Sequence, residues 1–186
     1  MNKTSFIILL YFTLIAVYGL MEIVLQRYFS KNKIKKTRDK LILLMLSLFY
    51  MSIYLAPAEH VILKTSLHTG LIITGFLFLI TGIILRILSL AKLGNNFSIF
   101  VEAGEENSLV TGGLYRYIRH PLYLTSLMIA VSGCIVFSCL FTWIFFVLTL
   151  IVFLRRIRKE EEFLISRFEG YGEYMKKTYK LIPYVF

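Results

Sequence analysis

Charged residues are scarce in this sequence. Lys, Arg, Asp and Glu make up 17% of its 186 residues, whereas 58% of the residues are hydrophobic. An ordinary soluble domain has about 25% charged residues, so this shortage of charge excludes that class of protein. The sequence therefore predicts an integral membrane protein, and the mean hydropathy of +0.73 agrees with that prediction.

Cysteine is rare as well, with two residues in the chain. Cys134 and Cys139 lie in apolar surroundings and lack the spacing and the histidine neighbours of a metal site. We expect them to be buried structural thiols, and we expect no catalytic metal. The sequence also contains no internal repeat and no low-complexity segment, and nothing in it requires nucleic acid as a partner.

Long apolar runs take up most of the chain and predict an all-α bundle of five transmembrane helices. The first run is too long for the core of a signal peptide and has neither a basic leader nor a small-residue cleavage site, so we expect it to remain as a helix. The second is expected to end at Pro57, before a polar turn at residues 59–64. The third contains Gly70, Gly75 and Gly82, which would let a neighbouring helix approach closely. The runs are residues 6–29, 41–56, 67–90 and 121–154, the last counted as two passes joined by a turn near residues 137–140.

Basic residues are distributed unevenly along these five passes. The segment before the second pass, the stretch from Arg86 to His120 and the C-terminal tail hold 19 of the 21 Lys and Arg residues. Because cytoplasmic loops carry an excess of Lys and Arg, we expect these segments in the cytoplasm and the N-terminus outside. The formal net charge of +10 follows from this asymmetry and would attract anionic lipid headgroups. Arg86 is expected to extend from the third pass to the membrane interface, and contact with a ligand is the alternative.

A polar stretch, LVTGGLYRYIRHPLY at residues 109–123, closes the longest loop of the chain. Pro121 cannot continue a helix but is well placed to begin one, so His120 and Pro121 mark a helix entrance. Free backbone N–H groups and the helix dipole favour a bound anion at such an entrance. His120 is therefore a candidate for holding a carboxylate or a phosphate. The alternative is a juxtamembrane loop whose arginines contact lipid headgroups.

The C-terminal tail begins with RRIRKEEEFLISRF at residues 155–168. Arg156 and Glu160 are four residues apart and share one face of a helix, so they offer a cation and a carboxylate to one site. The alternative is an exposed ion pair. Glu161 and Glu162 are expected to be solvated charges. Since the tail and the polar stretch fall on the same side of the membrane, they can meet in space.

These motifs resemble, in their order and separation, those of the isoprenylcysteine carboxyl methyltransferase family of integral membrane methyltransferases. The resemblance rests on LGNNFS at residues 93–98, LVTGGLYRYIRHPLY at 109–123, RIRKEEEFL at 156–164 and YMKKTYKLIP at 174–183. It covers residues 91–183, about half of the chain, and implies that this is the cofactor-binding part. The hydrophobic pattern continues upstream and shows no soluble second domain, so we expect a single membrane domain over residues 1–186. S-adenosylmethionine would be held on the cytosolic side by the loop and the C-terminal helix, and a lipophilic acceptor would enter from the bilayer.

The resemblance also assigns roles to individual residues. The implied cofactor contacts are Glu102, Asn107, Ser108, Leu109, Val110, Tyr115, His120, Pro121, Leu122, Tyr123 and Glu160, and Arg156 would bind and orient the acceptor. The chain departs from the family pattern at Asn107, where many members have His, and at Leu114, which replaces a common Pro. The segment FEGYGEY at residues 168–174 is one residue shorter than the family spacing. We therefore assign no site residue beyond Phe168.

The reaction implied by the resemblance is direct methyl transfer from S-adenosylmethionine to a heteroatom of a lipophilic or prenylated acceptor, with S-adenosylhomocysteine as product. A carboxylate acceptor fits best, because it is already nucleophilic at neutral pH and needs positioning more than a strong base. A hydroxyl or thiol acceptor is the first alternative. Two other classes stay open, namely a membrane reductase similar to sterol reductases and a noncatalytic lipid-binding or scaffolding protein.

The predicted topology is open to a direct test. Single cysteines introduced at Lys35 and Lys177 should both react with a membrane-impermeant maleimide from the cytoplasmic side, because the charge distribution places both positions there. Oriented membrane vesicles of both orientations allow the measurement, with the native cysteines replaced by alanine as background. Labelling of the two positions from opposite sides would contradict the five-pass arrangement.

Overall fold

Helices form almost all of the described structure. The computed structural model describes residues 2–29, 40–94 and 109–183, which form six α-helices and one short 3₁₀ helix, Gly113–Arg116. The α-helices are α1 (Lys3–Phe29), α2 (Lys40–Leu63), α3 (Thr69–Leu93), α4 (Pro121–Val136), α5 (Thr142–Arg167) and α6 (Tyr171–Lys177). The prediction of an all-α protein is confirmed for these residues, and α6 is a helix that the sequence analysis did not assign.

The helices differ in how well they are suited to cross a bilayer. By length and composition, α1, α2 and α3 can each span a membrane. α4 is apolar but has 16 residues, and α5 is apolar in its first half and charged in its second. Leu20, Ile73 and Leu77 leave large apolar side chains exposed on α1 and α3, as expected of a surface that faces lipid. The chain is an integral membrane protein, and the count of five passes stays a prediction.

Pro57 does not end the second helix, contrary to the expectation from the sequence, because α2 continues through it to Leu63. Proline lacks the N–H that would donate to the carbonyl four residues earlier, which here is that of Ile53. The hydroxyl of Tyr11 in α1 donates to this carbonyl instead, with an O···O distance of 3.4 Å. A buried acceptor thus keeps a donor, and the helix tolerates the proline.

Glu59 therefore lies within α2, where it attaches this helix to α5. Its carboxylate accepts hydrogen bonds of 2.6 to 2.9 Å from the backbone N–H groups of Leu140, Phe141 and Thr142. These donors at the start of α5 have no partner within the helix, and a carboxylate there also complements the helix dipole. The predicted turn near residues 137–140 is confirmed. Cys134 and Cys139 beside this turn are free and buried, as expected.

Two glycines allow α3 to lie against α4, the described element with which α3 makes most of its contacts. A Cβ atom at Gly75 would lie 2.8 Å from the backbone nitrogen of Val136 and 2.9 Å from the carbonyl oxygen of Ser132. A Cβ atom at Gly82 would lie 3.1 to 3.4 Å from atoms of α4. The predicted close approach is confirmed at these two positions, whereas Gly70 faces open space.

Gly75→Ala should destabilise the protein by about 1–3 kcal/mol, because the backbone of α4 would have to move to admit the new methyl group. Gly70→Ala is the matched control, since it makes the same change in the same helix where nothing lies within 4 Å. Thermal unfolding in one detergent compares the two variants. Equal unfolding temperatures would contradict the close packing of α3 on α4.

Candidate active site

The C-terminal segment folds back onto the residues that precede α4. Gly170, with a φ of +89°, allows the sharp turn from α5 into α6. After α6, three backbone hydrogen bonds of 2.8 to 3.2 Å run from Arg119 N–H to the Tyr179 carbonyl, from His120 N–H to the Lys180 carbonyl and from Tyr179 N–H to the Tyr117 carbonyl. These bonds satisfy backbone groups outside the helices. The prediction that the tail and the polar stretch meet in space is confirmed.

Glu161 in α5 lies at the centre of this contact. Its Oε1 atom is 2.8 Å from Arg119 Nε and 3.3 Å from His120 Nε2, and its Oε2 atom is 3.1 Å from Lys180 Nζ. The Glu161 side chain is 7% exposed. The expectation that Glu161 is solvated is therefore wrong. Its carboxylate is the common partner of basic side chains from the α4 entrance and from the C-terminal segment.

Arg119 binds the end of α6 as well as Glu161. Its Nη1 atom donates to the carbonyl of Met175, at 3.0 Å, and to the carbonyl of Thr178. Carbonyl groups at a helix C-terminus lack donors within the helix, and a cation there complements the helix dipole. The charge of Arg119 is thus used inside the protein, whereas Arg116 is exposed above the ring of Tyr117.

The surroundings of Glu161 stabilise its ionised form. Burial alone would raise the pKa of this carboxyl, but hydrogen bonds from His120, Arg119 and Lys180 outweigh that effect and lower the pKa to about 2, from an ordinary value of 4.5. A carboxylate that accepts several hydrogen bonds stays charged well below neutral pH. The Glu161 carboxylate therefore keeps its charge at neutral pH.

Tyr115 is the buried residue of the 3₁₀ helix, which begins at Gly113 with a φ of +63°. The hydroxyl of Tyr174 donates to the Tyr115 carbonyl at 2.6 Å and so holds this backbone to α6. The hydroxyl of Tyr115 itself is buried and has no hydrogen-bond partner among the described residues. Leaving such a group unpaired costs about 1–3 kcal/mol, so its position suits a polar group of a bound ligand.

Tyr123 in α4 faces the two charged residues that were predicted to share one face of α5. Its hydroxyl donates to Oε2 of Glu160 at 3.0 Å. Arg156 is buried, with 3% of its surface exposed, and it interacts electrostatically with Tyr123. The ring of His120 meets the ring of Tyr123 edge to face, with centroids 5.8 Å apart. Because Arg156 is buried, the alternative of an exposed ion pair is excluded for it.

Seven of the residues assigned from the resemblance thus lie at one end of the bundle. They are Tyr115, His120, Pro121, Leu122, Tyr123, Arg156 and Glu160. Leu109 and Val110 are half-buried just before the 3₁₀ helix. Glu102, Asn107 and Ser108 lie outside the described residues. The roles of all these residues stay predictions.

A second buried ion pair lies at this end of the bundle. Arg86 of α3 places Nη2 at 2.6 Å from Oε1 of Glu22 in α1, and the two side chains are 12% and 11% exposed. The expectation that Arg86 extends to the membrane interface is wrong, because a carboxylate inside the bundle neutralises it. Glu22 is the single acidic residue of the first apolar run. A carboxylate within an apolar run that can cross the membrane usually has a specific role. Glu22 could therefore have indicated this ion pair from the sequence.

Sequence reasoning also missed Glu161 and Lys180. Glu160, Glu161 and Glu162 follow one another on α5, and a run of like charges does not indicate which member is buried. In the folded chain Glu161 is buried, Glu160 is half-exposed and Glu162 is exposed. The distinction depends on where the C-terminal segment docks, and that contact is not visible in the local sequence.

Comparison with known proteins adds a family and a fold. Residues 73–166, half of the chain, match the isoprenylcysteine carboxyl methyltransferase family. The chain is 32% identical over 128 residues to the Protein-S-isoprenylcysteine O-methyltransferase of Xenopus laevis, covering 63% of this chain and 42% of that protein. It is 33% identical over 112 residues to the protein of the same name from Schizosaccharomyces pombe, covering 58% and 48%. The chain spans about half the length of these curated relatives.

A solved structure shares the fold. It is that of the eukaryotic intramembrane Ras methyltransferase, an isoprenylcysteine carboxyl methyltransferase, and it superposes with a TM-score of 0.74. The superposition covers 99% of this chain and 68% of the other, at 22% sequence identity. At this level of identity the likeness establishes the arrangement of the helices and no more.

Glu161→Gln should destabilise the protein by about 3–5 kcal/mol, because it leaves the buried guanidinium of Arg119 without its counter-charge. Glu162→Gln is the matched control, since it removes the same charge from the next position, which is exposed. Unfolding of both variants and the wild type in one detergent provides the comparison. Equal losses of stability would contradict the central role of Glu161.

The pH dependence gives this experiment a second readout. Because the pKa of Glu161 is lowered to about 2 in the folded protein, from 4.5, its contribution to stability is complete above pH 4.5 and is lost as the pH falls from 4.5 towards 2. The stability difference between the wild type and Glu161→Gln should therefore shrink as the pH falls from 4.5 towards 2. A constant difference over that range would contradict the ion cluster.

Proposed function

We propose that this chain, which belongs to the isoprenylcysteine carboxyl methyltransferase family, transfers the methyl group of S-adenosylmethionine to the carboxylate of a lipophilic acceptor. The family match covers half of the chain and includes α4, most of α5 and the buried residues His120, Arg156 and Glu161. Because the chain spans about half the length of its curated relatives, the reaction has to be supported by this chain's own residues.

The observation that carries the proposal is the buried, unpaired hydroxyl of Tyr115 within electrostatic reach of Glu160. S-adenosylmethionine combines an ammonium group, a carboxylate, ribose hydroxyls and an adenine ring. Tyr115 offers a hydrogen-bonding group whose partner is missing, Glu160 offers a carboxylate to an ammonium, and Tyr123 offers an aromatic surface. The hydroxyl, carboxylate and aromatic groups at this end of the bundle therefore fit the chemical groups of the cofactor.

Other residues complete the proposed cofactor site. His120 is held through Nε2 by Glu161 and through its backbone N–H by the Lys180 carbonyl, so its orientation is fixed before any ligand binds. Pro121 and Leu122 begin α4 beside it, and Leu109 and Val110 supply apolar side chains ahead of the 3₁₀ helix. Glu102, Asn107 and Ser108 would contribute from the loop.

The cofactor supplies an electrophilic methyl group on a positively charged sulfur. Arg156 would bind the acceptor, because a guanidinium can hold both oxygens of a carboxylate and fix the direction of one of them. Its burial strengthens that attraction, since charges interact more strongly away from water. The carboxylate attacks without losing a proton first, so the site needs no general base.

The relatives' name, Protein-S-isoprenylcysteine O-methyltransferase, supports a prenylated cysteine as the acceptor. Such a molecule is lipophilic and would reach the buried Arg156 from the bilayer. The site would lie in the cytoplasm, with five membrane passes and the N-terminus outside, because Lys and Arg cluster on that side. A hydroxyl or thiol acceptor is the second candidate, and it would require a base.

The proposal is tested with protein reconstituted in liposomes, radiolabelled S-adenosylmethionine and an S-farnesylcysteine derivative with a free carboxylate. We expect label to enter the organic phase and to be released as methanol by mild base, because methyl esters hydrolyse whereas methyl ethers and thioethers do not. The same acceptor with its carboxylate amidated is the control and should stay unlabelled. Binding of NADPH in place of S-adenosylmethionine, measured by calorimetry, would instead support a reductase.

Arg156→Lys should lower methyl transfer at least about tenfold while the dissociation constant of S-adenosylmethionine changes less than about twofold, because Lys cannot hold a carboxylate bidentately. Arg158→Lys is the matched control, because Arg158 is exposed two residues away. Glu160→Ala should instead act on the cofactor: we expect the dissociation constant of S-adenosylmethionine to rise roughly tenfold, because its ammonium group loses a carboxylate partner. If Arg156→Lys loses cofactor affinity in parallel with activity, Arg156 belongs to the cofactor site.

A further inference from the structure

The Glu22–Arg86 pair is the most unusual feature of the helices that cross the bilayer. Arg86 uses two nitrogens of its guanidinium for one carboxylate, with Nη2 at 2.6 Å from Oε1 and Nε at 3.0 Å from Oε2 of Glu22. Charged residues inside a membrane bundle are costly and are rarely kept without a specific role. The proposed chemistry of Arg156 and Glu160 makes no use of this pair.

The third nitrogen of Arg86 reaches α4. Nη1 donates to the carbonyl of Leu122 at 2.9 Å and to Oγ of Ser126 at 3.0 Å. Thr125 and Ser126 also donate to the Leu122 carbonyl, at 2.9 and 3.0 Å. This carbonyl lies one residue after the proline that begins α4, so Arg86 binds the first turn of the helix that carries His120, Leu122 and Tyr123 at its start.

The same guanidinium lies close to the proposed cofactor site on a second side. Arg86 interacts electrostatically with Tyr115, whose buried hydroxyl has no partner among the described residues. It also interacts with Tyr18 of α1. Arg86 therefore joins α1 to the start of α4 through hydrogen bonds, and it lies on α3, which also contacts the 3₁₀ helix that carries Tyr115.

Glu22 lies outside the stretch of chain that matches the family, which begins at residue 73. α1 makes few contacts with α3, so its link through Glu22 is one of the few polar attachments between the two helices in the described structure. The carboxylate both neutralises Arg86 and fixes the plane of its guanidinium. The fixed plane is what aims Nη1 at the Leu122 carbonyl.

We propose that Glu22 and Arg86 are positioning residues for the cofactor site: Glu22 orients Arg86, and Arg86 holds the first turn of α4 in the conformation that binds S-adenosylmethionine. The inference rests on the proposed function for its ligand, although the link from Arg86 to α4 is present in the protein alone. A single ammonium nitrogen cannot replace three guanidinium nitrogens held in one plane. Arg86→Lys therefore keeps the charge that Glu22 needs and loses the hold on α4.

The experiment measures three quantities for each variant in detergent: the unfolding temperature, the dissociation constant of S-adenosylmethionine by calorimetry, and hydrogen exchange of the amides at residues 122–127. The variants are Arg86→Lys and Glu22→Gln, and the control is Tyr11→Phe. Tyr11 is another buried polar contact of α1, about 16 Å along the helix from Glu22. Its loss should lower stability without reaching α4 at Leu122.

For Arg86→Lys we expect roughly tenfold weaker cofactor binding and faster exchange at residues 122–127. Glu22→Gln should change both quantities in the same direction, and its result decides the question if the Lys variant does not fold. Tyr11→Phe should change neither. Cofactor affinity within about twofold of the wild type, or unchanged exchange at residues 122–127, would overturn the inference.

Failure of the proposed function gives a different pattern. If the wild type binds no S-adenosylmethionine, the proposed function is wrong, and the exchange at residues 122–127 alone decides whether Arg86 holds the start of α4. If Tyr11→Phe matches Arg86→Lys in all three measurements, the pair contributes only to general stability and the positioning role is refuted.

Discussion

The carboxylate of Glu161 binds basic side chains from two separate parts of the chain. Arg119 and His120 come from the entrance of α4, and Lys180 comes from the segment after α6. Each of these groups would be costly to bury alone, because a charge in low dielectric needs a partner. The position of His120, and through its ring contact that of Tyr123, therefore depends on one buried side chain of α5.

Charge compensation also organises the membrane part of the protein. Glu22 compensates Arg86 between α1 and α3, and Glu59 compensates the partial charge at the start of α5. The two contacts lie at opposite ends of the bundle and follow one rule, that a charged or polar group removed from water needs a partner within the protein. In both cases a carboxylate on one helix binds a group on a neighbouring helix and so helps to fix the position of that helix. These polar contacts add specificity to the packing of the largely apolar helices.

Much of this arrangement is readable from the sequence. Long apolar runs predict the membrane helices, because a segment that lies in lipid must be apolar. Pro121 predicts the start of α4. Gly75 and Gly82 predict where α3 and α4 approach each other. The sequence predictions fail where a distant partner decides the outcome. Pro57 lies inside α2, where the hydroxyl of Tyr11 donates to the carbonyl that the proline leaves without its helical donor. Glu161 is buried beside Lys180 of the C-terminal segment. Such contacts join residues far apart in the chain and leave no local pattern. The cofactor contacts come from the family resemblance, and their roles remain proposals.

Tyr11 and Pro57 are linked through the carbonyl group of Ile53. Pro57 has no N–H to donate to this carbonyl, and the hydroxyl of Tyr11 donates to it instead. We therefore expect the residues at positions 11 and 57 to vary together during evolution. A chain with an ordinary residue at position 57 has an amide for that carbonyl and no need of a hydroxyl at position 11, whereas a chain that keeps the proline is constrained to keep a donor on α1. Homologues should accordingly show paired changes at positions 11 and 57, and such covariation would record the contact between α1 and α2 without any structure.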